Sequence, residues 1–443
     1  MRLTDALRLR PGMSVAFTGA GGKSAALGTL AREARGRHAI ALTTTTRLAA
    51  GQRALADEHH VLTRADAVAQ LPLRLDRTIL VTGPEDPSQG KLPALEPVVM
   101  EALRQRVLAE GGLLAIEADG ARGRWIKAPG EHEPVLPSWV DVVAPVTGLE
   151  AIGAPLDSRV AHRPELVAQV LGIAAGEPLT AQLVAELLSS EAGGLKGIPP
   201  GAEVRAVLNG AGIEAAVAAA NEIASGALDT GRLRAILMCA LGSEDPVRRV
   251  AGRVAGIVLA AGAGRRLQQA KPIVEWKGQP LARHVIDAAR QAGLDPIIVV
   301  LGAEASKIRS SLAQDKVTFV ENSDWDRGQS TSVQAGLDAV EANVEAAVFL
   351  LADMPRVSAR TIRSLVEQHA QALPAIVAPV GAGRRGNPVL FDRVVFSELH
   401  GLRGDQGGRS LLDRWAWQAV DADPLEFFEV DSPDDLDTLR RTG

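Results

Sequence analysis

Short aliphatic or β-branched runs alternate with helical patterns of about 10–15 residues along the whole chain, the signature of parallel sheets built from βαβ units. In the first half the pattern predicts strands near 14–17, 39–42, 78–81, 113–117, 140–145, 204–208 and 235–240, with helices between them. Residues 242–252 are polar and contain Gly and Pro, and a fresh apolar strand is expected at 254–260. A domain boundary is therefore placed there, giving domains 1–245 and 253–443. The second half continues with strands near 297–301, 317–320, 347–351, 375–378, 388–391 and 427–430. The fold class is α/β: two domains, each a mostly parallel sheet flanked by helices.

Composition narrows the function. With 48 basic against 53 acidic side chains the net charge is −5, so no basic field recruits nucleic acid or an anionic membrane. Any bound phosphate must be met locally. The single Cys239 lies in an apolar run and reads as a small core residue with no intrachain disulfide, which fits a reducing cytoplasm. No apolar stretch approaches the ~18 residues of a membrane span, and the first residues lack the features of a signal peptide, so a soluble chain is expected.

In the second half, the strand ending Val258-Leu259 runs into Ala260-Ala261-Gly262-Ala263-Gly264-Arg265-Arg266, with Lys271 shortly after. Small residues let the backbone approach a ligand, its amides can cradle a triphosphate, and Arg266 and Lys271 offset the charge. An ordinary strand-to-helix turn has the same spacing. Leu267 stands where the dinucleotide fingerprint needs its third Gly, which argues against a nicotinamide or flavin site. The apolar strand near 347–351 ends in Ala352-Asp353-Met354-Pro355. Asp353 is thereby placed at the carboxyl edge of a buried strand, where open α/β sheets bind ligands, as a candidate Mg²⁺ ligand. Asp431, in Glu429-Val430-Asp431-Ser432-Pro433, offers a second carboxylate, although this segment also reads as a helix start.

These motifs fall in an order that resembles a family. LAAG-x-x-x-R with a following Lys, N-x-x-W-x-x-G-x-S-x-S at 322–332, L-x-D-M-P at 351–355, R-G-x-P-V-L-F at 385–391, G-D-x-G-x-R at 404–409 and D-x-P-x-D-L at 431–436 together resemble the MobA-like nucleotidyltransferases. Ala261 of LAAG, where guanylyltransferases of the molybdenum cofactor carry LAGG, is similar to the molybdenum cofactor cytidylyltransferases. The resemblance implies a Rossmann-like nucleotidyltransferase fold, with Leu259, Ala260, Ala261 and Gly262 on the nucleotide and Arg266 and Lys271 on its phosphates. It further implies Mg²⁺ on Asp353 with Asp431, and Asn322, Gly328, Ser330 and Ser332 along the base and substrate side. Arg385, Asp405 and Arg409 would lie near the pterin phosphate. Two departures stand out: Leu267-Gln268 replaces the family's Met-Gly, and Asn387 replaces the His of its usual RGHP. Gln268 would add a side chain beside the triphosphate, and Asn387 would alter the acceptor side.

In the first half, a strand leads into Thr18-Gly19-Ala20-Gly21-Gly22-Lys23-Ser24 and then a helical run. Amides at that helix start would receive phosphates, Lys23 would reach their oxygens, and Ser24 could ligate Mg²⁺ in a P-loop-like arrangement. Phe17 occupies the position of the first Walker Gly, so the loop is a compact variant. The apolar strand at 113–117 ends in acids, and Asp119 or Glu117 could complete the metal site. The run Thr43-Thr44-Thr45-Thr46-Arg47 is either a ligand-facing strand end or a plain one. His132 lacks companions at zinc-like spacing, and His59-His60 are expected to face solvent. GAGGKS, TTTTR, EADGARG, KAPGEHEPVLP and V-A-H-R-P at 160–164 resemble the YqeC-like proteins, accessory factors for selenium-dependent molybdenum hydroxylases. Asn209 ends a strand where GTPases carry Asn-Lys-x-Asp, but Gly210 follows it, so guanine preference is unsupported.

The expectation from sequence is a Mg²⁺-dependent transferase that moves a cytidylyl group from CTP to molybdopterin, forming the cytosine dinucleotide for an apo-molybdenum hydroxylase, fused to a nucleotide-binding accessory domain. Two alternatives remain: a sugar-phosphate nucleotidyltransferase, and a non-catalytic molybdenum cofactor chaperone.

Overall fold

The computed structural model describes residues 1–85, 88, 90–212, 214–264, 266–267, 269–313 and 316–442. The chain divides into two compact units, Met1–Ala251 and Gly252–Gly443.

In the first unit a sheet runs in the order Ala235–Cys239, Glu203–Asn209, Val142–Gly148, Ser14–Gly19, Leu113–Glu117, Ile40–Thr44, Thr78–Thr82, Glu58–Val61, each neighbouring pair parallel. Its central strands are buried along their length because helices cover both faces, which is why they read as continuous apolar runs. One core gathers Leu103, Ile116 and Val143, the other Leu156, Val184 and Ile223. The chain builds the Leu113–Glu117 side of Ser14–Gly19 first and the Val142–Gly148 side afterwards. The topological switch therefore falls at the carboxyl end of Ser14–Gly19, where the phosphate loop begins.

The second unit orders its strands Trp417–Asp421, Ile376–Gly381, Val389–Asp392, Val344–Leu351, Val247–Ala260, Ile297–Leu301, Thr318–Glu321. Val389–Asp392 runs antiparallel to both neighbours, the short Arg384–Arg385 pairs antiparallel with the end of Ile376–Gly381, and the other pairs are parallel. Both units are thus α/β with mostly parallel sheets. Helices Leu281–Gln291 and Ala359–Ala372 pack on one face through Val285, Ile286, Ile362 and Leu365, and Gln329–Asp338 on the other through Val333 and Leu337. From Val247–Ala260 the chain goes first to Ile297–Leu301 and later returns to Val344–Leu351 on the opposite side. A crevice therefore opens at the carboxyl ends of Val247–Ala260 and Val344–Leu351.

Three expectations need correction. The strand expected from residue 254 starts at Val247, with Val247 and Val250 buried between exposed or half-buried polar positions. Residues 427–430 are not a strand: Pro424–Phe427 is a 3₁₀ turn, and the edge strand is the more polar, half-exposed Trp417–Asp421, whose weak alternation hid it. His59 and His60 are half-buried in the edge strand Glu58–Val61 rather than fully exposed, and the His59 ring nitrogen Nε2 is hydrogen-bonded with Thr82 Oγ1 at 2.8 Å. Burial, aided by Arg53, holds the His59 imidazole below its ordinary range. Cys239 is fully buried and free. Among the described residues no helix is long and apolar enough to cross a membrane.

Candidate active site

The crevice of the second unit holds a cavity of about 320 Å³ lined by Leu259, Ala260, Gly262, Ala263 and Gly264 of the loop, and by Arg266, Lys271, Asp353 and Asp431. The loop depends on Gly264, which has φ 57° and whose Cβ would stand 2.2 Å from the carbonyl oxygen of Gln269. No other residue allows that approach. Asp353 stands two residues past the end of the buried strand Val344–Leu351, and its carbonyl accepts the N–H of Val430 at 3.0 Å, which brings Asp431 beside it. Lys271 Nζ lies 3.1 Å from Asp353 Oδ2 and also hydrogen-bonds Asp431 Oδ1. The Arg266 guanidinium is exposed, 3.8 Å from Asp431 Oδ2.

Asp431 is free for this role because it does not cap the last helix. Ser432 Oγ accepts the N–H of Asp435 at 3.2 Å, and the Asp435 carboxylate accepts the N–H of Ser432 at 2.8 Å and that of Asp431 at 3.1 Å. That reciprocal arrangement is a capping box on Pro433–Thr442. Burial pulls the Lys271 ammonium towards neutrality, but Asp431 and Asp353 outweigh it, so its pKa lies above the ordinary lysine value.

A second cavity of about 370 Å³ shares Leu259 with the first and is lined by Arg385, Asn387, Asp405, Arg409, Gln329 and Glu429 among others. Phe349 and Phe391 form its aromatic side, edge to face with ring centroids 5.7 Å apart. The Arg385 guanidinium sits 5.5 Å from the centre of the Trp417 ring. Glu429, which sequence reasoning did not single out, has its carboxyl raised by burial and by the nearby Asp353 and Asp431. Its one sequence signal was an acid two positions before Asp431.

The structure brings together Leu259, Ala260, Gly262, Arg266, Lys271, Asp353 and Asp431 at one cavity, and Arg385, Asp405 and Arg409 at the next. Five residues fall elsewhere. Ala261 is buried and lines neither cavity, its carbonyl accepting the N–H of Ala303 at 3.0 Å. Asn322, Ser330 and Ser332 are also buried: Asn322 Nδ2 donates to Ser332 Oγ at 3.0 Å and to Thr331 Oγ1 at 2.9 Å. These groups clasp the start of Gln329–Asp338, and Gln329 is the residue of that motif facing a cavity. Gly328 packs so closely on Gly404 that its Cβ would lie 2.3 Å from the Gly404 carbonyl carbon. Arg265 and Gln268, the latter one of the departures noted above, lie outside the described residues.

In the first unit, Gly19, Gly21 and Gly22 lead into the helix Lys23–Ala34. A Cβ on Gly21 would sit 2.3 Å from the Gly148 amide nitrogen, so only glycine permits the loop to lie on that strand end. Asn209, set aside above as a nucleobase reader, braces the loop instead: its Nδ2 donates to the Gly21 carbonyl at 2.8 Å and its Oδ1 accepts the N–H of Leu241 at 3.0 Å. Lys23 Nζ lies 3.0 Å from Asp119 Oδ1 and donates to the Gly19 carbonyl. Ser24 Oγ is 3.4 Å from Glu117 Oε2, and Gln52 Nε2 bridges both at 2.7 and 3.1 Å.

Of the two acids left open as partners of Ser24 at a metal, Glu117 is the one beside it. Asp119 lies instead between two ammonium groups, with Lys23 Nζ 3.0 Å from Oδ1 and Lys127 Nζ 3.1 Å from Oδ2. Burial drives Glu117 towards its neutral form, against the pull of Lys23. The threonine run is structural: Thr43, Thr44 and Thr45 donate to the carbonyls of Val81, Glu117 and Val135 at 2.8, 2.8 and 2.7 Å. His132 is exposed, and among the described residues no group of three or more His, Cys, Asp or Glu side chains is arranged to hold a metal.

Comparison with known proteins follows the same division. Residues 256–420 match the MobA-like NTP transferase domain, and residues 15–165 match the YqeC protein family. Over 196 residues the chain is 27% identical to nicotine blue oxidoreductase of Paenarthrobacter nicotinovorans, covering 42% of this chain and 94% of that protein. Over 114 residues it is 34% identical to the uncharacterized protein YqeC of Escherichia coli K12, covering 26% of this chain and 44% of that one. The crystal structure of Rv0371c from Mycobacterium tuberculosis H37Rv is similar at 30% identity with a TM-score of 0.40, over 43% of this chain and 98% of that one.

Proposed function

From the premise that the C-terminal unit is a MobA-like nucleotidyltransferase and that the N-terminal unit carries a YqeC domain, we propose that the protein transfers a cytidylyl group from CTP to molybdopterin. This is a step in molybdenum cofactor maturation for a molybdenum hydroxylase. The observation that carries the reading is the pair of adjoining cavities that share Leu259: one has a small-residue loop with Lys271, Asp353 and Asp431, the other an aromatic side with Arg385 and Arg409. The first suits a nucleoside triphosphate. The second suits a planar acceptor carrying a phosphate.

A divalent cation fits this chemistry. The Asp353 and Asp431 carboxylates converge on one positive charge, the Lys271 ammonium, and hard oxygen donors are what Mg²⁺ takes. These two residues would hold the metal, which when bound supplies charge neutralisation to the triphosphate. The chain's own groups do the rest. Loop amides position the phosphates, Lys271 and Arg266 meet negative charge that grows on the α-phosphate and the departing pyrophosphate, and Arg385 and Arg409 orient the acceptor. An oxygen of the acceptor phosphate attacks the α-phosphorus, the bond to the β-phosphate breaks, and pyrophosphate leaves. No covalent intermediate on the protein is needed.

The N-terminal unit is read as a nucleotide-binding accessory domain, supported by the Gly19–Gly22 loop and buried Lys23 at the sheet's switch point. The test is incubation of the purified protein with each nucleoside triphosphate, Mg²⁺ and molybdopterin, with products identified by mass. A cytosine dinucleotide of the pterin is expected. A product only with a sugar phosphate as acceptor would overturn the reading in favour of sugar-nucleotide synthesis, and nucleotide and pterin binding without turnover would favour a chaperone.

A further inference from the structure

The phosphate loop of the N-terminal unit is tied to a second lysine that no motif argument used. Asp119, 1% exposed, takes the N–H of Gly19 on Oδ2 at 3.0 Å, with Lys127 Nζ 3.1 Å from the same oxygen and Lys23 Nζ 3.0 Å from the other. Lys23 and Lys127 are each 5% exposed. One loop amide and two ammonium groups around two oxygens make the donor set that a phosphate takes. Lys127 also contacts Glu133 Oε2 at 2.8 Å, and Arg163 holds the same oxygen at 2.6 Å. Signs alternate along Lys23, Asp119, Lys127, Glu133 and the half-exposed Arg163, which also faces Glu165. The next acid, Glu117, is drawn towards its neutral form by burial. Two buried ammonium groups, Lys23 and Lys127, thus share the one Asp119 carboxylate, and a phosphate carries enough charge to meet both.

We propose that Lys127 is a phosphate-binding residue of this unit, acting with Lys23, and that Asp119 is an internal counter-ion that fills the seat between them until a ligand's phosphate group displaces it. The proposal rests on the reading of the Gly19–Gly22 loop as a phosphate cradle. It adds that the cradle is self-occupied, and that the second cation comes from the short strand Ile126–Lys127. A free phosphate and a nucleoside triphosphate share this chemistry, so both serve as probes.

The experiment is calorimetric titration of the full chain, in a Lys271→Ala/Arg266→Ala background that removes both cations of the other cradle, with ATP, GTP, CTP and inorganic phosphate. Lys127→Gln and Lys23→Gln should each weaken binding by about tenfold or more, the size expected for a lost charge-assisted contact. Asp119→Asn should instead tighten it severalfold, because the competitor for the seat has lost its charge. A merely structural role would make Asp119→Asn and Lys127→Gln change affinity in the same, weakening direction, and that result would overturn the proposal. So would unchanged binding by Lys127→Gln, which would leave the cradle reading standing with Lys23 alone. No binding of any probe by the parent or by Asp119→Asn would remove cradle and proposal together. If Lys127→Gln melts early, Lys127→Arg keeps the charge and should bind like the parent, and the sign of the Asp119→Asn change still decides.

Discussion

Lys271 and Asp353, 82 positions apart in the chain, meet with Nζ 3.1 Å from Oδ2 at the carboxyl edge of the second unit's sheet. The ammonium also holds Asp431, so one cation keeps two carboxylates from repelling each other. Because those partners raise its pKa, Lys271 contributes stability that is fully present below the ordinary lysine value of 10.5 and is lost as pH rises through its higher folded value. Lys271→Met should flatten the alkaline limb of a melting-temperature profile above that pH. It should also cost pyrophosphate release on the order of 10²-fold or more, as loss of one preorganised charge does. An unchanged alkaline limb would break the assignment.

Asp353→Asn should lower nucleotidyl transfer by on the order of 10²–10³ with only a modest loss of melting temperature, since Lys271 keeps its pairing with Asp431. Asp431→Asn should fall in the same range, because Ser432 and Asp435 cap the last helix and leave Asp431 to the cleft. Steady-state rates over a Mg²⁺ titration check both. A stability loss with full activity for Asp431→Asn would return that residue to a capping role.

Much of this was legible in the sequence because the chemistry sits where strands end. Asp353 was marked by the apolar run before it, Lys23 by its glycine loop, and the strands Leu113–Glu117 and Ile297–Leu301 appear at their expected bounds. What was missed depends on tertiary contact. Asn322, Ser330 and Ser332 carry a motif and are buried, Asn322 turning its amide onto Thr331 and Ser332 at a helix start, and nothing in a linear pattern separates such a clasp from a contact to ligand. Lys127 and Glu429 are chemically ordinary residues until the sheet order sets them beside Asp119 and Asp353. The edge strand Trp417–Asp421 was hidden because an exposed edge needs little apolar alternation.

Gly408 offers a way to separate the two cavities. A Cβ there would stand 2.4 Å from the Phe391 ring, which is itself buried and cannot give way cheaply. Gly408→Ala should therefore push the aromatic side of the second cavity and raise KM for the acceptor by about tenfold, a cost in the range of small-to-large changes in packed sites. KM for the nucleotide should stay put. Equal effects on both would show that the cavities do not divide the substrates.

Glu133 provides an acid-range signature of the N-terminal unit. Burial alone would raise its carboxyl, but Arg163 and Lys127 hold it down to about 2 from an ordinary 4.5. Its contribution to stability is present above pH 4.5 and is lost as pH falls from there towards about 2. Denaturation monitored across that window should show a steeper decline in the parent than in Glu133→Gln. Parallel curves would mean that Glu133 is not held by these cations.

The most direct measurement uses CTP labelled at one phosphorus at a time, with molybdopterin and Mg²⁺. Label at the α-phosphorus should appear in the pterin product, label at the γ-phosphorus should leave as pyrophosphate, and Asp353→Asn should suppress both. Transfer of γ-label to the acceptor, or a stoichiometric complex that releases neither, would contradict cytidylyl transfer at the Lys271–Asp353–Asp431 site.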